Sequence, residues 1–326
     1  MGRIGRSFRQ PLRLAGRAPD LDPAILRDSA YKWGLLAAIG ALDAAWIAFS
    51  DFRLAPGSIA GPAFAAILLV AGARFFRFVR PNPGLFVLAE AIAQIFVGFA
   101  LAGVLSYLAL STNRALIDPT LSAADRALGF DWPRFILWVQ AHPLLDGFLF
   151  LAYRGSVPQL LVIAFLLSWR EDGRLRELSG AILVSLVLAI AISAALPAIS
   201  AYPYYGVSHP GIAAEIGVPD LFALRDGSLR LLDLRRMDGL VCFPSFHVVL
   251  SLLFVHALRG RRALFPLAVA VNAAIILSTL TAGGHYLVDL LGGAAVAAAA
   301  VALYRAVGAR RPVIRRSRAA PSPAAV

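Results

Sequence analysis

Long apolar runs separated by short polar turns make up most of the chain. Several runs reach the roughly 20 residues that a helix needs to cross a bilayer. The pattern predicts about eight membrane spans, at approximately residues 33–50, 60–76, 84–110, 144–168, 178–198, 244–258, 263–282 and 286–305. We therefore expect an all-α fold, a polytopic membrane helical bundle.

The composition agrees with a membrane protein and argues against other classes. Of 326 residues, 59% are hydrophobic, and a water-soluble domain would need far more polar surface. The net charge of +12 would suit nucleic acid, but the arginines lie in tails and short loops, where membrane topology explains them better. We expect no nucleic-acid partner. Cys242 is the only cysteine, which excludes an intrachain disulfide and a zinc finger.

The arginines also predict the orientation of the chain. Every second connection is basic, in phase with the basic N-terminal tail. These connections contain Arg74, Arg77 and Arg80, then Arg170, Arg174 and Arg176, then Arg259, Arg261 and Arg262. By the positive-inside rule both termini are cytoplasmic, and we expect a multi-pass protein of the plasma (cell inner) membrane. The longer loop before residue 244 is also basic, but its length and acidic residues make it a tolerable exception.

Two outer segments flank the later spans. In residues 111–143, Asp131 is predicted to cap a short interfacial helix whose apolar face consists of Phe135, Trp138 and Val139. Residues 199–243 are rich in proline, tyrosine, glycine and charge, and they are expected to form a cap on the outer side.

A first cluster of reactive residues opens the sixth predicted span. Its sequence is Cys242-Phe243-Pro244-Ser245-Phe246-His247. Pro244 suits the first turn of a helix, which would place Ser245 and the amides after it at a helix N-terminus, a natural site for anions. Ser245 would also serve as an N-cap.

A second cluster lies at the junction of the last two spans, Gly283-Gly284-His285-Tyr286-Leu287-Val288-Asp289. The glycines allow a backbone to approach a ligand closely. His285 and Asp289 are four residues apart and would share a helix face, so that the carboxylate holds one ring nitrogen and leaves the other free. A buried polar pair between helices is the alternative. Metal ligation is disfavoured, because no further carboxylate lies near either cluster at ligand spacing.

The predicted topology places both clusters on one side of the membrane, the extracytoplasmic side. Two histidines, one oriented by an aspartate, beside an anion-binding helix start suggest phosphoryl transfer. Pro-Ser-x-His followed by His-x-x-x-Asp resembles the type-2 phosphatidic acid phosphatase superfamily. The two motif sequences, FPSFH and GGHYLVDLLGG, most resemble those of the inositolphosphotransferase branch of this superfamily, which includes inositol phosphorylceramide synthases. The resemblance covers roughly the last two thirds of the chain by span count.

This resemblance implies a six-helix phosphatase-type core and four regions. They are a basic cytoplasmic tail at 1–32, two additional transmembrane helices at 33–83, a catalytic membrane domain at 84–305 and a disordered basic cytoplasmic tail at 306–326. The implied chemistry needs no metal and no cofactor. His285 attacks phosphorus to form a phosphohistidine, Asp289 orients it, and His247 protonates the leaving oxygen and then activates the acceptor.

The substrate implied is a lipid phosphate, held by Ser245, Phe246, Gly284 and nearby amides. The sequence departs from the superfamily pattern in its cations. The only lysine, Lys32, lies far from the motifs, and Thr279 stands where the third phosphatase motif has arginine. The missing cations favour the inositolphosphotransferase branch. They also leave transition-state charge to other groups, for which the candidates are Arg154, Arg235 and Arg236.

Three functions stay open at this point. With water as acceptor the protein is a lipid phosphate phosphatase, acting on phosphatidic acid or a prenyl diphosphate, for example. With a lipid alcohol as acceptor it is a phosphotransferase using phosphatidylinositol-like donors. A transporter or scaffold would use Asp43, Glu90 and Arg154 as a polar pathway, but it would not explain two histidine motifs on one side. The sequence predicts no oligomeric state.

Overall fold

The chain folds into a bundle of helices with two very short strands. The computed structural model describes residues 21–169, 173–209 and 217–309. In order, its elements are α1 (Pro23–Ala48), β1 (Arg53–Leu54), α2 (Ala60–Phe78), α3 (Pro83–Leu110), α4 (Asp118–Ala127), α5 (Trp132–Gln140), α6 (Pro143–Arg154), α7 (Ser156–Ser168), α8 (Arg174–Ala195), α9 (Ala201–Tyr205), α10 (Val218–Asp226), β2 (Leu231–Leu232), α11 (Phe246–Ala257), α12 (Leu264–Thr279) and α13 (Leu287–Ala309). Most of the predicted tail 1–32 and of the predicted disordered tail 306–326 lies outside the described residues.

Helices occupy every apolar run, but fewer of them than expected are long enough to cross a membrane. Among the described helices these are α2, α3, α8 and residues Leu287–Val307 of α13, and α5 with α6 would make a fifth although they are bent by 108°. The apolar helices α7, α11 and α12 are shorter than the roughly 20 residues required. The all-α membrane bundle is therefore confirmed, with four or five candidate spans where about eight were predicted.

Two boundaries differ from the predicted spans. The first helix begins at Pro23 and not near residue 33, because Asp22 caps it and Pro23 suits its first turn. The predicted span 144–168 is divided into α6 and α7, which meet at Gly155. The predicted borders at 32/33 and 305/306 therefore fall inside α1 and α13.

The centre of the bundle is the contact between α3 and α8. α3 also packs against α1 and α2, and α8 packs against α11 and α13. A β-carbon at Gly98 would lie 2.4 Å from Cδ2 of Leu183. The glycine thus allows α3 and α8 to pack closely, as small residues do between membrane helices.

A buried ion pair fastens α1 to α8 at the end of the bundle where both helices begin. Nζ of Lys32 lies 2.7 Å from Oδ2 of Asp28. The same ammonium donates to Ser179 Oγ at 2.8 Å and to the carbonyl of Arg176 at 2.9 Å. The Tyr304 hydroxyl of α13 donates to the other oxygen of Asp28. All three ammonium protons therefore have acceptors, which a buried charge requires.

Glu90 of α3 forms a second buried polar cluster beside the first. Its Oε2 accepts hydrogen bonds from Trp33 Nε1 at 2.8 Å, Ser29 Oγ at 3.1 Å and Gln94 Nε2 at 3.1 Å. These contacts join α1 to α3, as polar side chains do between membrane helices. Asp43, in contrast, is buried with no hydrogen-bond partner for either oxygen within the described residues.

At the opposite end, the loop after α1 is joined to the segment before α11. β1 and β2 pair in parallel, with Arg53 N donating to the carbonyl of Arg230 at 2.9 Å and Ala55 N to that of Leu232 at 2.8 Å. The described part of the predicted cap, residues 199–243, contains α9, α10 and β2. It is therefore a folded layer and not an open loop.

The short helix predicted after residue 130 is present. Asp131 caps α5, with Oδ1 accepting from an amide of the first turn at 3.0 Å. The buried side chains are those of Trp132, Ile136 and Val139. Trp138, predicted at headgroup depth, is 54% exposed, and its place in the membrane interface stays a prediction. Trp132 turns inward and donates to the carbonyl of Leu280 at 3.1 Å.

Replacing Lys32 with methionine tests the buried ion pair. The substitution leaves the Asp28 carboxylate buried without its cation, which typically costs about 3–5 kcal/mol. We expect a clearly lower melting temperature in detergent by tryptophan fluorescence. Arg27→Met, at an exposed position of the same helix, should melt like the wild type, and Asp28→Asn should restore part of the loss in Lys32→Met. Equal melting of Lys32→Met and wild type would contradict the contribution of the pair.

Candidate functional site

His285 and Asp289 form a buried hydrogen-bonded pair. His285 Nδ1 lies 3.0 Å from Asp289 Oδ2, and the two side chains are 6% and 0% exposed. A carboxylate can only accept, so Nδ1 carries the proton and Nε2 is the ring nitrogen with a free lone pair. The predicted orientation of the imidazole by Asp289 is therefore present as a direct contact.

The pair does not lie on a helix face, contrary to the prediction. α13 begins at Leu287, two residues after His285, and Asp289 is its third residue. Asp289 Oδ2 also accepts from the Tyr286 amide at 3.0 Å, so its side chain folds back over the start of the helix as in a capping box. One carboxylate oxygen thus caps α13 and holds the histidine.

The start of α11 differs from the prediction by two residues. The helix begins at Phe246, Ser245 occupies the N-cap position and Pro244 precedes it, so Pro244 is not in the first turn. Ser245 makes no capping hydrogen bond; its buried hydroxyl has no partner within the described residues. Its amide donates to the Asp289 carbonyl at 3.2 Å, which joins the starts of α11 and α13.

A cavity of about 690 Å³ lies beside both histidines. Its polar end includes His247, His285, Gly283, Cys242 and Asp238. Side chains of α3 and α8 line an apolar part, among them Phe96, Phe99, Ala100, Leu186 and Ala189. Described residues of the cap, including Leu221, Leu234 and Met237, complete the wall. The site thus joins two imidazoles to an apolar space between two central helices.

Tyr153 also belongs to the site, although only its position beside Arg154 in the sequence pointed to it. Its ring stacks on that of His247, with centroids 4.1 Å apart and planes inclined by 27°. It lines the cavity, and a β-carbon at Gly283 would lie 3.0 Å from Cε2 of Tyr153. Tyr153, at the end of α6, therefore fixes the plane of the His247 ring. Its position also requires a residue without a side chain at 283, close to His285.

The second glycine, Gly284, has a structural role and does not contact the cavity. Its φ of +61° is in the left-handed region that favours glycine. Its carbonyl accepts from the Ala201 amide at 2.9 Å and from Ser200 Oγ at 2.8 Å, and its amide donates to the Thr281 carbonyl at 2.9 Å. Both backbone groups of Gly284 are occupied, and the residue lies behind the cavity wall formed by Gly283. Phe246 lines the cavity and packs edge-on against Phe99 at 5.8 Å.

Two carboxylates of α4 contact the segment around His285, and neither was predicted as a site residue. Asp125 accepts from the amides of Leu287 at 2.8 Å and Val288 at 3.0 Å. Asp118 accepts from the Tyr286 hydroxyl at 3.0 Å. Burial raises the pKa of Asp125, and the two amides oppose that rise. The available signal was their spacing of seven residues, which places both on one face of a helix.

The predicted phosphate-binding arginines are not at the histidines. Arg154 is exposed at the end of α6, with its guanidinium 5.5 Å from the ring centroid of Phe150. Arg235 is exposed and bonded through two nitrogens to Asp233, at 2.9 and 2.7 Å. Arg236 is exposed as well. No described arginine or lysine lines the cavity, although Arg235 and Arg236 lie between two residues that do, Leu234 and Met237.

The only group in the described part of the chain with the composition and spacing of a metal site is Cys242, His285 and Asp289. One ligand atom of each lies within 4.8 Å of the others, and these are donor types that zinc accepts. Cys242 Sγ is 3.7 Å from Asp289 Oδ2. Burial raises the pKa of the Cys242 thiol, so the thiol keeps its proton and is oriented as a weak donor to the carboxylate. The expectation that no metal binds stays a prediction.

Comparison with known protein families gives a match that covers the site. A family profile described as PAP2 superfamily matches residues 119–303. The matched region contains both histidine clusters and all of α4 except its first residue, Asp118. No curated protein and no solved structure matches the chain. The profile covers more than half of the 326 residues and includes every residue of the His285–Asp289 pair and of the α11 start. The chain therefore belongs to the PAP2 superfamily.

Proposed function

We propose that the protein transfers a phosphoryl group from a lipid phosphate, through a phosphohistidine at His285, on the extracytoplasmic side of the membrane. Membership of the PAP2 superfamily supports a phosphatase-type activity on a lipid phosphate. We propose an inositolphosphotransferase-like enzyme, with an alcohol as the acceptor and no metal in the reaction.

One observation carries this proposal. His285 and His247 line the same cavity, and Asp289 holds Nδ1 of His285, so that its Nε2 is the nitrogen left for attack. A pair that only joined helices would not need a second histidine on the same cavity. A nucleophile, its orienting carboxylate and a second imidazole are the groups that a two-step transfer requires.

The reaction is written in two steps. In the first, the Nε2 lone pair of His285 attacks phosphorus, the bond to the leaving oxygen breaks, and protonated His247 gives that oxygen its proton. The positive charge on the phosphorylated ring is balanced by Asp289. In the second, neutral His247 takes the proton of the acceptor hydroxyl, the acceptor oxygen attacks phosphorus, and the bond to Nε2 breaks. Both histidines then return to their first state.

The phosphoryl oxygens need donors, and the start of α11 can supply them. The first amides of a helix are unpaired and point along its axis. At α13 those amides are taken by Asp289 and Asp125, so we assign phosphate binding to α11, with the hydroxyl of Ser245 beside it. Arg235 and Arg236, next to lining residues of the cap, are the candidates for contact with a bound headgroup.

The shape of the cavity favours a lipid with an alcohol acceptor over a small soluble phosphate. Its apolar part, between α3 and α8, suits a hydrocarbon chain. The volume of about 690 Å³ exceeds what a phosphate headgroup fills, which leaves room for an acceptor. Hydrolysis by water uses the same intermediate, so a plain lipid phosphate phosphatase is the alternative outcome of the assay.

The assay supplies phosphatidic acid, a prenyl diphosphate and phosphatidylinositol to purified protein in detergent, each with and without ceramide. We expect a new phosphorylated lipid that requires both the donor and the ceramide. Free phosphate alone would make the enzyme a phosphatase. No turnover of any donor by well-folded protein would contradict the enzymatic proposal and favour a transporter or scaffold.

Single substitutions separate the roles of the two histidines and the aspartate. His285→Ala should abolish turnover. His247→Ala and Asp289→Asn should each lower kcat by about 10²–10⁴-fold, the range for loss of an acid–base group. His142→Ala, at an exposed histidine outside the cavity, is the matched control and should keep wild-type kcat. Wild-type turnover in His285→Ala would remove this residue from the mechanism.

The proposed independence of metal is tested with chelator and with zinc. Asp289 Oδ2 already accepts from His285 and Tyr286, so the imidazole is oriented without a cation, although Oδ1 has no hydrogen-bond partner within the described residues. We expect EDTA to leave kcat unchanged. Loss of turnover with EDTA, restored by zinc in the wild type but not in Cys242→Ser, would contradict the proposal and identify Cys242, His285 and Asp289 as a catalytic metal site.

A further inference from the structure

We propose that Asp118 and Asp125 of α4 are positioning residues that hold the segment containing His285 in its reactive place. The inference rests on the proposed function, because it concerns the nucleophile of that reaction. α4 contains two buried carboxylates that face the loop between α12 and α13. A buried carboxylate is costly unless it is fully hydrogen-bonded. The hydrogen-bond partners of Asp118 and Asp125 therefore indicate which segment the two residues restrain.

Asp125 holds the start of α13. Its two oxygens accept separately from the amides of Leu287 at 2.8 Å and Val288 at 3.0 Å. These amides have no partner inside a helix, and a side chain of the preceding turn normally caps them. Here the cap comes from another helix, so the position of α13 relative to α4 is fixed by two charge-assisted bonds.

Asp118 holds the other side of the same segment. Oδ1 accepts from the Tyr286 hydroxyl at 3.0 Å. Both oxygens also lie 3.1 Å from the amide of Ile199. Ile199 leads directly into Ser200 and Ala201, whose donors bind the carbonyl of Gly284 at 2.8 and 2.9 Å. Asp118 therefore restrains Tyr286 directly and Gly284 through the segment at 199–201.

His285 lies between these attachments. Gly284 before it and Tyr286, Leu287 and Val288 after it are each bonded to α4, or to a segment that α4 holds. Ser200 has a φ of +106° and a ψ of 152°, a strained conformation that is almost confined to glycine. Such a conformation persists only where the surroundings impose it, which agrees with a role in holding Gly284.

The side-chain contacts of Asp289 with His285 and Tyr286 do not by themselves give this restraint. Asp289 orients the ring of His285 within one segment, so the pair could move together without breaking its bond. Distance from the second imidazole, His247 on α11, is set by where that segment lies in the bundle. The Ser245 amide, which donates to the Asp289 carbonyl at 3.2 Å, ties the segment to α11 at one point, and α4 adds attachments on both sides of His285. A misplacement of about 1 Å can cost on the order of 10²-fold in rate.

The experiment compares Asp125→Asn with Asp131→Asn. Both replace an aspartate that caps a helix, but Asp131 caps α5 and lies outside the cavity. An asparagine at 125 presents an NH₂ to one of the two amides and loses that bond. We expect kcat to fall by on the order of 10²-fold with KM within about twofold. Asp131→Asn should change neither.

Tyr286→Phe is the milder second variant, in case Asp125→Asn folds poorly. It removes only the hydroxyl that donates to Asp118, which keeps its bonds to the Ile199 amide. We expect a drop in kcat by about tenfold at an unchanged melting temperature, corresponding to a partial loss of alignment. Wild-type kcat in both Asp125→Asn and Tyr286→Phe would overturn the inference.

Amide hydrogen exchange separates this inference from the proposed function. Peptides covering residues 281–289 should take up deuterium faster in Asp125→Asn than in wild type or Asp131→Asn, because two amides lose an acceptor or gain a mobile one. Unchanged exchange would overturn the anchoring by Asp125 whether or not the protein turns over lipid. Faster exchange in a protein without lipid turnover would confirm the anchoring and contradict the proposed function.

Discussion

The site depends on a single carboxylate oxygen, Oδ2 of Asp289, which accepts from the ring of His285 and from the amide of Tyr286. The first bond selects the tautomer of the nucleophile and the second begins α13. Since Asp289 is fully buried, neither bond competes with water. The two bonds offset part of the cost of a buried charge whose other oxygen, Oδ1, has no hydrogen-bond partner within the described residues. The same oxygen therefore both orients His285 and caps the start of α13.

Polar residues at the two ends of the bundle have different roles, helix packing at one end and the lining of a cavity at the other. At one end, Lys32 with Asp28 and Glu90 with its donors join helices and enclose almost no free space. At the other end, the polar groups of α4, α11 and α13 surround a cavity that continues between α3 and α8. The same residue types thus stabilise packing where their bonds are complete, and they suit chemistry where an imidazole nitrogen faces open space.

The sequence predicted what depends on local pattern and missed what depends on distant contacts. Apolar runs located the helices, and the spacing of His285 and Asp289 predicted their hydrogen bond. The helix face was wrong, because a capping side chain folds back in a way that spacing does not encode. The role of α4 was missed because its aspartates can be recognised as caps only once α13 is seen to lie against them. The inward turn of Trp132 was missed as well, because its indole donates to a carbonyl far along the chain.

The central claim is that His285 carries the phosphoryl group, and the most direct measurement is to trap it. Wild-type protein would be mixed with a ³²P-labelled lipid phosphate, quenched in alkali, digested and mapped by mass spectrometry. The account predicts an alkali-stable, acid-labile phosphate on the peptide containing His285, formed faster than product and absent in His285→Ala. Product formed with no labelled peptide, or label that persists in His285→Ala, would contradict it.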